Sequence, residues 1–144
     1  MRRMFVAGAF VSLVCGRCLA AQARPLDPPR RCGRASEPVL AADTTIDLAE
    51  GKPPSWLRAD VADGPRYPVA QRNARSPGEV RVSYVIDMTG AIVRGTAAVV
   101  AQSDPAFGQS VCEFLQRARF APVELDGHRR TVRVLNQRFL FETR

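Results

Sequence analysis

The side chains able to carry redox, metal or nucleophilic chemistry are few in these 144 residues: Cys15, Cys18, Cys32, Cys112 and one histidine, His128. Cys15 and Cys18 have the C-x-x-C spacing of a redox or haem-attachment motif, but Leu19 follows where haem attachment needs histidine. His128 stands in the turn sequence Asp126-Gly127-His128, with no second histidine anywhere to share a metal. A general base must lie within hydrogen-bond reach of a partner, and no Ser/His/Asp arrangement can be placed. There is no G-x-x-x-x-G-K loop for phosphates. No catalytic residue, metal site, cofactor or small-molecule substrate is therefore expected, and the chain reads as a non-enzyme.

Position along the chain decides what the cysteines are for. Arg2 and Arg3 precede an uncharged apolar run, Phe5–Gly16, closed by Arg17 and followed by the small-x-small triplet Ala21-Gln22-Ala23. These are the three regions of a cleavable signal peptide. The run is shorter than the roughly 20 residues that span a bilayer. Residues 1–23 are expected to be removed on export; the alternative is a short uncleaved membrane anchor. Cys15 and Cys18 leave with the signal. Cys32 and Cys112 stay behind in an oxidising compartment, where a pair of cysteines suggests one disulfide; two buried free thiols are the other option.

The same cut lowers the formal charge from +7 to about +4. The remaining arginines are scattered, without an aromatic-interleaved basic patch, so nucleic-acid binding is not expected.

Three stretches organise the chain: a signal peptide at 1–23, a proline-rich linker at 24–65 and a domain at 66–144. The linker carries Pro25, Pro28, Pro29, Pro38, Pro53, Pro54 and Pro65 and sustains no period. Two apolar groups interrupt it, Ile46–Leu48 and Trp56–Leu57, either of which could dock as a clip. Within the domain, Pro68 can open a short helix through Ala74. Val80, Val82, Tyr84 and Ile86 alternate with polar residues over Glu79–Asp87, which predicts a half-buried strand. Asp87-Met88-Thr89-Gly90 is a turn sequence, and Ala91–Ala101 completes a hairpin. Asp104 and Pro105 suit the cap and first position of a helix whose apolar stripe is Phe107, Val111, Phe114, Leu115 and Ala118. The last strand, Thr131–Glu142, has a parity conflict. Val132 and Val134 share one face and Phe139 and Phe141 the other, so either a β-bulge near Asn136-Gln137-Arg138 reunites them or half the strand faces away. The expected fold class is α+β, a two-layer sandwich. A small antiparallel sheet, made of the hairpin and the C-terminal strand, lies under one main helix, with a short N-terminal helix before it.

Motifs in that order carry a resemblance. Arg66-Tyr67-Pro68, then Gly78-Glu79-Val80-Arg81-Val82-Ser83-Tyr84-Val85-Ile86-Asp87 with a turn to Gly90, then Ala118-Arg119-Phe120-Ala121-Pro122 are similar to the C-terminal domain of the TonB energy-transducer family, over residues 66–142. The resemblance implies a periplasmic domain for energy-dependent transport. Its partners would be TonB-dependent outer-membrane transporters, whose extended TonB-box segment adds to the C-terminal strand by β-augmentation. By match, Leu135, Asn136, Gln137, Arg138 and Phe139 would carry the edge, with Arg66, Tyr67 and Pro68 nearby. An anchored chain would also couple to ExbB and ExbD. A cleaved chain would be a stand-alone periplasmic adaptor or structural module, whose peptide partner need not be a transporter.

Overall fold

The structure, a computed structural model, describes residues 22–33, 45–48 and 64–143. The signal-peptide run and the Trp56–Leu57 group lie outside the described residues. The elements in chain order are β1 (Arg24–Arg31), β2 (Thr45–Leu48), α1 (Val69–Asn73), β3 (Gly78–Ile86), β4 (Ala98–Gln102), α2 (Pro105–Arg117), β5 (Val123–Leu125) and β6 (His128–Phe141). This is an α+β fold: one sheet in the order β1-β4-β3-β6-β2 with α2 across one face, and β5 paired to the start of β6.

The alternation read in β3 is the floor of the core. Val80, Val82, Tyr84 and Ile86 are all buried under α2, and the α2 stripe of Phe107, Val111, Phe114, Leu115 and Ala118 closes over them. The helix begins where its cap predicts: Asp104 Oδ1 accepts from the Ala106 amide at 2.8 Å, with Pro105 in the first turn. The turn after β3 also forms as its residues suggest. Asp87 Oδ1 accepts from the amides of Thr89 and Ala91, at 2.8 and 3.0 Å. Gly90 sits at φ +86°, where a Cβ would lie 1.9 Å from the Phe120 carbonyl oxygen.

The second hairpin strand is shorter than expected. Ala91 and Ile92 make only isolated bridges, a turn follows at Arg94-Gly95, and regular pairing starts at Ala98. Gly95 lies at φ +78°, a backbone state that ends one straight strand before the next begins.

The parity conflict in the last strand resolves through a bulge. Val82 pairs with Gln137 and Tyr84 with Val134, so β6 carries one extra residue between them. Asn136 takes φ +51°, a region asparagine tolerates. Val132, Val134 and Phe141 are thereby buried together, with Phe139 packed against the same core.

The reading of 24–65 as linker needs correction at two places. β1 pairs antiparallel with β4, and β2 pairs parallel with β6. The sheet is thus broader than a hairpin plus one strand, and not wholly antiparallel. Proline misleads because it deletes only a donor. β1 is an edge strand, and its register slips between Pro25 and Arg30, so Pro28 and Pro29 fall where no ladder bond is required. Cys32 then forms a disulfide with Cys112 on α2, with Cα atoms 5.1 Å apart, bolting β1 to the helix layer.

Candidate functional site

β6 has fourteen residues and two sides. Its inner side is filled by β3, antiparallel from Gly78↔Phe141 to Ile86↔Val132. On its other side β2 takes Thr131 to Val134, in register Thr45↔Thr131 through Leu48↔Val134. From Gln137 to Phe141 no second strand pairs with β6 among the described residues. A strand side without a partner presents main-chain donors and acceptors to any extended chain that comes alongside.

Several residues of that stretch are tied to β3 and to the core. The Asn136 amide donates to Ser83 Oγ at 3.0 Å, which ties the bulge to β3. Gln137 Oε1 accepts from the Tyr84 hydroxyl. Burial pushes that phenol above its ordinary range, so it remains a donor at any physiological pH. Arg138 reaches Glu79 with Nε at 3.0 Å and Nη2 at 3.1 Å, and Arg81 Nε meets the same carboxylate at 3.0 Å. Burial raises the Glu79 carboxyl, but the bonds and charges of Arg138 and Arg81 outweigh it and hold it below the usual carboxylate range. The carboxylate is only 5% exposed, while both guanidiniums are about half exposed. Phe139 packs on Phe114, ring centroids 6.0 Å apart. Leu140 is a large apolar side chain and is exposed.

The three residues matched to the neighbourhood of this edge are placed by packing. Tyr67 stands edge-on to Phe107 and Phe141, 5.6 Å from each, and its hydroxyl donates to the Ser76 carbonyl at 2.5 Å. It therefore sits at the C-terminal end of β6, beyond Phe139. The Arg66 carbonyl accepts from the Ser110 hydroxyl of α2. Pro68 caps α1, and its carbonyl accepts from the Arg72 amide at 2.9 Å. The structure brings Tyr67 to the strand end and holds Arg66 against the helix layer.

Glu79, Ser83 and Tyr84 contact residues of this stretch from β3; sequence reasoning placed them on that strand but gave them no part in the site. Alternation puts Glu79 on the polar side of β3, and nothing in the sequence reveals that two arginines would cover it there. Among the described residues no group of three His, Cys, Asp or Glu side chains gathers to hold a metal. None of the described helices is long and apolar enough to cross a membrane.

No curated protein matches the chain. A family model does: the C-terminal domain of the Gram-negative bacterial TonB protein aligns with residues 63–143, which spans α1 through β6 and more than half the chain. The tyrosine–proline start, the β3 alternation with its aspartate–glycine turn and the Arg-Phe-Ala-Pro exit from α2 all fall within that match, and the chain belongs to the family of Gram-negative bacterial TonB C-terminal domains.

Proposed function

We propose that this chain serves energy-coupled transport as a periplasmic adaptor, binding extended segments of outer-membrane transporters along β6 between Leu135 and Phe141. The observation that supports this most is the strand order: among the described residues no second strand pairs with β6 from Gln137 to Phe141. Backbone pairing there needs little of the peptide's sequence, which suits a shared partner of many transporters. The role is binding, with no bond made or broken.

A second feature bears on the choice between anchored transducer and stand-alone adaptor. Residue 24 already belongs to the sheet. If residues 5–16 stayed in the inner membrane, residues 17–23 would be the only free chain before the domain, reaching roughly 25 Å at full extension. Such a tether cannot carry the domain across a periplasm, so the adaptor reading, with residues 1–23 removed, fits the fold better than one coupled to ExbB and ExbD.

Amide NMR titration with peptides from the N-terminal segments of transporters tests the binding. Shifts confined to 135–141 and the surroundings of Tyr67 are expected. A folded protein with no shift for any such peptide would leave it a structural module with a different partner. Intact-mass measurement on the exported protein tests the cleavage, and retention of Met1 would revive the anchored reading.

A further inference from the structure

We infer that the sheet face turned away from α2 holds a docking site for an acidic segment of a partner protein, in which the guanidiniums of Arg81 and Arg138 take a carboxylate and Leu140 takes an apolar side chain beside it. Both guanidiniums act through side chains and not through the main chain of β6, so the site stands whether or not a strand adds to that edge.

The register brings the pieces together. Across β3 and β6, Arg81 pairs with Arg138 and Glu79 with Leu140. Directly opposed residues share a face, and side chains alternate along each strand. Val80, Val82, Phe139 and Phe141 belong to the core under α2, so Glu79, Arg81, Arg138 and Leu140 lie on the other face. Two like charges directly opposite each other weaken a sheet. One carboxylate offsets this: Glu79 Oε1 lies 3.0 Å from Nε of each arginine, and Oε2 accepts from Arg138 Nη2 at 3.1 Å. Among the described residues Arg81 is held only at Nε, and Arg138 only at Nε and Nη2. Both terminal nitrogens of Arg81 and Nη1 of Arg138 are left open, on guanidiniums that are about half exposed. With Glu79 ionised, two cations face one anion and the cluster keeps a net positive charge.

That charge is complementary to a carboxylate. A guanidinium binds one through its planar fork. Here Glu79 already fixes both forks, so less rotamer freedom is lost when the anion arrives. Leu140 is exposed and follows Arg138 by two residues, about 7 Å along the strand. An acidic and an apolar side chain two residues apart in an extended segment match that spacing. The next guanidinium of β6 on this face, Arg133, is engaged by Asp47 at 3.3 Å, so the open charge is a compact pair. Anionic membrane surfaces are met by clusters of roughly 4–8 basic side chains, whereas a pair with an apolar neighbour suits a peptide.

The test is a titration of the full chain followed through the side-chain Nε–H signals of Arg81 and Arg138 by NMR. The probes are a capped Gly-Ser-Glu-Ser-Leu-Ser-Gly peptide and the same peptide with glutamine in place of glutamate. The glutamate peptide should shift both signals and bind about tenfold or more tighter than the glutamine peptide, as a charge-assisted bond requires. Arg81→Gln should bring the two peptides level. Arg81→Lys keeps the charge without the fork and should recover part of the preference; it also serves if Arg81→Gln folds poorly. Leu140→Ser, at an exposed position, should weaken both peptides alike. Equal binding of the two peptides by the wild type would overturn the inference, as would a glutamate peptide that shifts neither signal or shifts only the main-chain amides of β6. Vesicles containing phosphatidylglycerol that bind the wild type and not Arg81→Gln, with no preference between the peptides, would put a membrane in place of the peptide and overturn it too. Transporter-derived peptides that fail at the β6 edge bear on the proposed function alone and leave this site standing.

Discussion

Gly78 and Glu79 begin β3 and show two different ways a single residue can be irreplaceable. At Gly78 the reason is space. A Cβ there would lie 2.2 Å from the Phe107 ring, which is itself wedged between Tyr67 and Phe141 at centroid distances of 5.6 and 4.6 Å. The ring has nowhere to go, so Gly78→Ala should cost about 1–3 kcal/mol as an overpacked core, read as a drop in the urea midpoint. At Glu79 the reason is charge. Its carboxyl is held below the ordinary range by Arg138 and Arg81 in spite of burial. A depressed carboxylate stabilises the fold fully above its unfolded value, near 4.3. That contribution is lost as pH falls through the lower folded value. The difference in stability between wild type and Glu79→Gln should therefore be constant above about pH 5 and shrink on acidification below it. Denaturant melts at several pH values would show this; a gap that does not narrow in acid would mean that Glu79 acts by packing alone.

At the scale of elements, β6 tests the functional reading through its backbone. Neighbouring amides of an extended strand point to opposite sides, so of Gln137 and Arg138 one faces β3 and the other the outer edge. Proline at the inward position breaks a ladder bond and should destabilise the fold by about 3 kcal/mol or more. Proline at the outward position should leave the melt close to that of the matching alanine variant and remove peptide binding. Arg138→Ala should weaken binding only mildly, because main chain supplies most of the pairing. If both proline variants bind peptide like wild type, the edge is not the site. What was legible here follows from period. β3 and α2 each bury one face, so alternation and the 3.6-residue stripe named Val80, Val82, Tyr84, Phe107 and Val111 correctly; the conflicting parities of Val132 and Phe139 left either a bulge near Asn136-Gln137-Arg138 or a half-packed strand, and the structure has the bulge. β1 was not legible, because Arg24–Arg31 has three prolines, no alternation and a largely exposed surface. β2 was flagged only as an apolar group, since four residues are too few to show a period and a parallel partner eighty-odd positions away leaves no local mark. An edge is invisible to any pattern, because it is defined by the strand that is not beside it. It entered the sequence reading only through the family resemblance.

Taken as a whole, the described molecule is cross-linked by a disulfide between its N-terminal arm and its main helix. Cys32 follows β1 directly, Cys112 lies in the middle of α2, and the bond spans a separation of 80 residues. The Cys32 amide also donates to the Ala97 carbonyl at 2.8 Å, and Arg31 Nη1 to the Gly95 carbonyl at 3.0 Å, so the arm is stitched to the loop before β4 as well. Closing a loop of that length lowers the entropy of the unfolded chain, for a stabilisation of about 2–4 kcal/mol in typical cases. The domain from α1 to β6 keeps its own core without the bond, because the buried set there is complete apart from Cys32 and Leu26. Replacing both cysteines by serine should therefore lower the denaturation midpoint by an amount in that range while leaving β3, β4 and β6 paired. The loss should begin at the arm, since β1 is an edge strand with a slipped register and little burial. Hydrogen exchange distinguishes this from uniform weakening. In the double-serine variant the amides of Arg24–Arg31 should exchange well before those of β3. Equal loss of protection across β1 and β3 would show that the arm is integral to the cooperative core, in which case the bond fastens nothing that the sheet does not already hold.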